Sequence, residues 1–190
     1  MPVNINADTV VGGAVVTADA SGQLALQSAG TTGLTVASGN VTVANKMTVV
    51  GTASTAGLKI ADVLETATIS ATAATGTINY DVTTQSIIYY TSNASANWTV
   101  NFRGSSGTSM NTLLATGQSL TAAFLVTQGS TAYYNSAVQI DGTTTGVTTR
   151  WIGGAPTAGN ASGIDSYRYL IIKTGSATYT VLASVTQYKA

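Results

Sequence analysis

The chain has 190 residues and no formal net charge, with 7 Lys and Arg against 7 Asp and Glu, and neither His nor Cys. Only 7% of its residues are charged, where about 25% is usual for a soluble domain. These figures exclude a disulfide framework, a basic stripe for nucleic acid and the His- or Cys-centred chemistry of most metal sites and nucleophilic enzymes. A lone domain with so little charge would tend to associate. The composition therefore suits a permanent structural part, covered by copies of itself or by a larger assembly. Polarity comes from hydroxyls instead. There are 34 Thr, a β-branched residue that favours strands and can turn its hydroxyl to water while its methyl packs.

Residues 1–62 contain no aromatic residue, whereas all 2 Trp, 9 Tyr and 2 Phe lie later. The opening MPVNINADTVVGG has no basic region followed by an apolar core, so no secretory signal is expected. Nor does any run in the chain approach the roughly 18 apolar residues of a membrane span. A weak repeat runs through the segment: Ala20–Leu26 (ASGQLAL) is echoed by Ala37–Val43 (ASGNVTV), a small-residue turn before a short alternating strand. Units this thin bury too little to fold alone and need neighbouring copies. Residues 1–62 are therefore expected to form an extended, short-stranded anchor or shaft, intertwined with other chains. Ala61–Ala67 (ADVLETA) has the residue types of one helical turn at the junction.

Residues 63–190 read as a β-domain. Strands are expected at Ala67–Ser70, Gly76–Asp81, Gln85–Thr91, Trp98–Arg103, Ser119–Thr127, Ala132–Asp141, Val147–Ile152, Ser166–Lys173 and Thr178–Gln187, with a helical turn at Asn111–Thr116. The breaks between them are rich in Gly, Ser, Asn and Thr. Ser119–Thr127 alternates Leu120, Ala122, Phe124 and Val126 on one face. Gln128-Gly129-Ser130 follows, and then a second alternating run, which together read as a β-hairpin. About nine short strands with regular turn signals suggest an antiparallel β-sandwich of jelly-roll type.

Chemistry is sparse. Asp62 and Glu65 could share one face of a short helix, as a paired-carboxylate glycosidase would require, but a capped junction helix is by far the more economical reading. Asp81, Asp141 and Asp165 fall at strand ends without the dense spacing of a Ca²⁺ loop, so no metal, cofactor or catalytic residue is expected. The best candidates for contact with a ligand flank the loop after Trp151: Arg150, Trp151, Asp165 and Tyr167. Aromatic faces stack on sugar rings while Arg and Asp fix hydroxyls. The favoured reading of Trp98, Trp151 and the tyrosine pairs is nevertheless core and inter-subunit packing.

Four stretches carry a family likeness: MPVNINADTVVGGAVVTADASGQLALQSAG, IIYYTSNASANWTVNFRG, TAAFLVTQGSTAYYNSAVQIDG and WIGGAPTAGNASGIDSYRYLIIKTGSATYTVLAS. In these the chain resembles small fibre-like virion structural proteins of marine tailed phages, of the cyanophage type. The resemblance implies a non-enzymatic homotrimer on the phage particle, at the head or the tail. Residues 1–62 would dock on other virion proteins and the β-domain would project, either as an appendage, as capsid decoration, or as an adhesin for a host cell-surface glycan. It implies neither nucleic-acid binding nor membrane insertion.

Overall fold

In the computed structural model, the structure describes residues 63–189 together with Val49, Leu58 and Ile60. The expectations for residues 1–62 lie outside the described residues. Nine strands follow in order: β1 (Ala67–Ala73), β2 (Gly76–Asp81), β3 (Ile87–Asn93), β4 (Trp98–Arg103), β5 (Ser119–Thr127), β6 (Asn135–Ile140), β7 (Val147–Trp151), β8 (Ile164–Gly175) and β9 (Thr178–Tyr188). A single helical turn, α1 (Met110–Leu113), separates β4 from β5. Most strands fall where apolar and polar residues alternate, because that alternation gives a strand one face to bury, whereas β3 and β8 carry the apolar runs Ile87–Tyr90 and Tyr169–Ile172. The helical turn expected at Ala61–Ala67 does not form over the described part: residues 63–66 have no regular structure and Ala67 already belongs to β1.

The pairing departs from the expected antiparallel jelly roll. The strands make one six-stranded sheet, in the order β1-β3-β5-β8-β9-β7, and one three-stranded sheet, in the order β2-β4-β6. From β1 to β6 the chain passes back and forth between the sheets, so β1, β3 and β5 pair in parallel in one and β2, β4 and β6 in the other. Only β8 runs against its neighbours, antiparallel to both β5 and β9, while β7 closes the far edge parallel to β9. The hairpin expected across Gln128–Ser130 is therefore absent. β5 lies in the large sheet and β6 in the small one.

The parallel stacking is in register, and it places like side chains over one another. Across the three-stranded sheet Ile78, Val100 and Val138 form one inward row, and Tyr80, Phe102 and Ile140 the next. Stacked rows of this kind let each turn of chain bury the apolar face that its neighbours leave open. The core lies between the two sheets and is dominated by aromatic rings. Trp98 stacks on Phe124 with centroids 5.7 Å apart and meets Tyr167 edge-on at 5.6 Å. Phe102 meets Tyr169 edge-on at 5.0 Å.

Burying tyrosines requires partners for their hydroxyls. Tyr80 donates to the backbone oxygens of Ser86 (2.5 Å) and Ala123 (3.3 Å), tying the small sheet to the large one. Tyr169 donates to Asn135 Oδ1 at 3.2 Å, and Tyr167 accepts from the Asn135 amide at 3.4 Å. Burial pushes the pKa of all three hydroxyls above the ordinary tyrosine value.

α1 closes one end of the core, with Met110 buried beneath it. A four-residue helix leaves nearly all its terminal amides and carbonyls unpaired, and two charged side chains supply the partners. Asp141 accepts from the amides of Met110 (2.8 Å) and Asn111 (3.2 Å). Lys173, itself buried, donates to the carbonyls of Asn111 (2.6 Å) and Leu114 (2.7 Å). Each charge has the sign that the corresponding helix end favours. Asp141 reaches this position from a tight turn, Asp141-Gly142, in which both residues have positive φ (51° and 80°). The bonds Ile140 N to Thr143 O and Thr143 N to Ile140 O close that turn, and Asp-Gly suits such a geometry.

Candidate functional site

The four residues singled out around Trp151 do not make one surface, although Trp151 and Tyr167 meet inside the domain. Along β7, successive side chains alternate faces, so Trp151 points inward and Arg150 outward. Trp151 is half-buried, meeting Tyr167 at 6.1 Å and Tyr169 at 5.9 Å edge-on. Tyr167 is fully buried in the aromatic core. Asp165 is also fully buried, its Oδ2 accepting from Gln128 Nε2 and from the Asn160 amide, both at 3.0 Å. Its other oxygen has no hydrogen-bond partner, and loss of hydration raises the carboxyl pKa above its ordinary value. Among the four, only Arg150 is exposed.

The strand-end aspartates likewise go separate ways. Asp81 pairs with Arg103 at 2.5 Å, Asp141 holds α1 and Asp165 holds the loop before β8. Among the described residues no three acidic, His or Cys side chains come together. Asp62 lies outside the described residues, so its relation to Glu65 is not part of the structure.

The feature that stands out is the outer face of the six-stranded sheet. Register places Ile69, Tyr89, Leu125 and Ser166 in one outward row and Thr121, Leu170, Leu182 and Arg150 in another. A third row, between them, runs Ile87, Ala123, Arg168, Ser184. Ile152, Ile69, Tyr188 and Leu182 keep 82%, 62%, 52% and 45% of their surface exposed. Isolated exposed apolar residues are ordinary, but a contiguous group on one face marks a contact surface. A groove of about 610 Å³ runs over this face, walled by Ile87, Leu125, Leu170 and Leu182, with Glu65 and Arg168 contributing charge.

The outer face of the small sheet is finished differently. Asn101, buried, donates to Asn79 Oδ1 at 2.8 Å and accepts from the Gly142 amide at 2.8 Å. The Asp81–Arg103 pair lies on the next outward row. No helix among the described residues is long and apolar enough to cross a membrane. Comparison with family models, characterised proteins and solved structures brings out no match for this chain.

The sequence reading missed this face because its outward residues are spread over six strands. The signal lay in the strands that alternate too weakly. In β5, Leu125 is apolar on the side opposite Phe124, and in β8 Leu170 and Ile172 are apolar opposite Tyr169 and Ile171. Strands apolar on both faces are those covered on both sides.

Proposed function

We propose that this chain is a non-enzymatic structural protein of a phage particle. In this reading it is a fibre-like homotrimeric appendage, held to other virion proteins through residues 1–62, with the β-domain projecting. The observation that carries the reading is the apolar outer face of the six-stranded sheet, on a chain with almost no charge to keep it apart from its copies. The resemblance to small marine phage virion proteins agrees with it. So does the stacked parallel architecture, which builds rigidity from short repeated turns of chain. The host-glycan reading has less behind it, because Asp165 and Tyr167 are enclosed in the core.

The test is the copy number of this chain in purified particles, measured by quantitative mass spectrometry against the major capsid protein. A small fraction of the capsid copy number fits an appendage at the tail or a vertex. A number comparable with it moves the chain to capsid decoration. Absence from purified particles removes the virion reading altogether.

A further inference from the structure

Much of the charge within the β-domain is committed to the fold. Asp81 is paired with Arg103, Asp141 and Lys173 hold α1, and Asp165 holds Gln128 and Asn160. Arg150 and Lys189 have no side-chain hydrogen bond or ion pair among the described residues, and the same is true of Glu65 and Arg168. Glu65 and Arg168 line the groove on the outer face of the six-stranded sheet. That face therefore offers one acid, Glu65, and two bases, Arg168 and Arg150, among exposed Ile, Leu and Tyr side chains.

A surface of this composition is complementary to itself. Opposite charges can pair between copies while the apolar rows pack, and few other charges on the face need to be stripped of water. Its size also suits a specific contact. Six strands about 4.8 Å apart and roughly eight residues long present on the order of 650 Å², close to the ~800 Å² that each partner gives to a typical interface. We infer that copies of this chain associate through the outer face of the six-stranded sheet, with Glu65 of one copy pairing with Arg168 of another. The inference rests on the reading of the chain as an assembled structural part and names the surface that does the assembling.

The chain has no cysteine, so introduced thiols report without background. The full-length double variant Glu65→Cys with Arg168→Cys, oxidised at micromolar concentration, is expected to give covalently linked copies on a denaturing gel. Either single variant alone is not. A thiol-free product that migrates as a single chain would place the two residues together within one copy and overturn the pairing. Linkage to a different virion protein, when the double variant is built into particles, would assign the face to that partner and overturn self-association.

Light scattering on Leu182→Glu separates the remaining cases. It is expected to show association weakened tenfold or more, since an ionised side chain in place of an apolar one would have to be stripped of water on association. Arg168→Glu should weaken association too, and adding Glu65→Arg should restore it; failure to restore overturns the pairing. A wild-type assembly that Leu182→Glu leaves intact overturns the surface while the structural reading stands. A wild-type chain that stays monomeric overturns both.

Discussion

On the small sheet, the outward row Asn79–Asn101–Gln139 is polar, and its buried member is satisfied by Asn79 and the Gly142 amide. On the large sheet, the outward rows carry Ile69, Tyr89 and Leu125, then Leu170 and Leu182, with no protein layer of the β-domain over them. The inward faces of both sheets are alike, since they share one aromatic core. Folding of the β-domain thus accounts for the inward faces and for the polar outer one. The apolar outer face contributes nothing to that core, and it is the surface proposed above for contact between copies.

This contrast can be broken or sharpened by substitution. The largest effect is expected where the two sheets meet. Trp98→Ala removes the ring stacked on Phe124 and set edge-on to Tyr167 and should cost about 3–5 kcal/mol, read as a lower guanidinium midpoint. A smaller loss is expected on the polar face. Asn101→Ala strands the Gly142 amide and should cost about 1–3 kcal/mol, with the oligomeric state unchanged. If that variant altered assembly instead, the polar face would be the contact surface and the contrast would fail. The smallest effect on folding is expected from Leu182→Ser. It should change the stability of the β-domain itself by no more than about 0.5 kcal/mol, measured in dilute conditions where copies are separate.

Two pH profiles test the shared core. Tyr80, Tyr167 and Tyr169 have raised pKa values in the folded state. The stability they give is complete below the unfolded tyrosine value and falls as pH rises beyond about 10. Tyr169→Phe should flatten the alkaline decline of the melting temperature. Asp165 is raised as well, so its contribution is complete below about pH 4 and is lost as pH rises through the folded value. Asp165→Asn should therefore gain on wild type as pH increases from 4 towards neutrality. A constant difference in melting temperature across that range would show that Asp165 titrates alike in both states.

Much of the local structure was legible. All nine strands occur where the residue pattern placed them, and the expected helical turn at Asn111–Thr116 overlaps α1 (Met110–Leu113). The pairing of β5 with β6 was misread because Gln128-Gly129-Ser130 has the residues of a reversing turn. In the structure, Gln128 turns its buried amide onto the backbone of Tyr133, donating to its oxygen (2.6 Å) and accepting from its amide (3.0 Å). That bonding carries the chain across to the other sheet. A signal for the true pairing was present. Thr77-Ile78-Asn79-Tyr80-Asp81 returns as Thr99-Val100-Asn101-Phe102-Arg103, and more loosely as Ala137-Val138-Gln139-Ile140-Asp141, the three segments that stack in register.

The sequence alone marked which stretches of the β-domain are strands and which residues share a face, because period-two alternation is a local property of the chain. It also determined a scarcity of charge that leaves little to oppose association. Only the tertiary structure decided which strands are neighbours, since parallel partners are joined by connections whose course depends on side chains such as Gln128. The same holds for Asp165 and Tyr167, enclosed by packing that no spacing reveals, and for Glu65 and Arg168, brought to one apolar face by strands far apart in the chain.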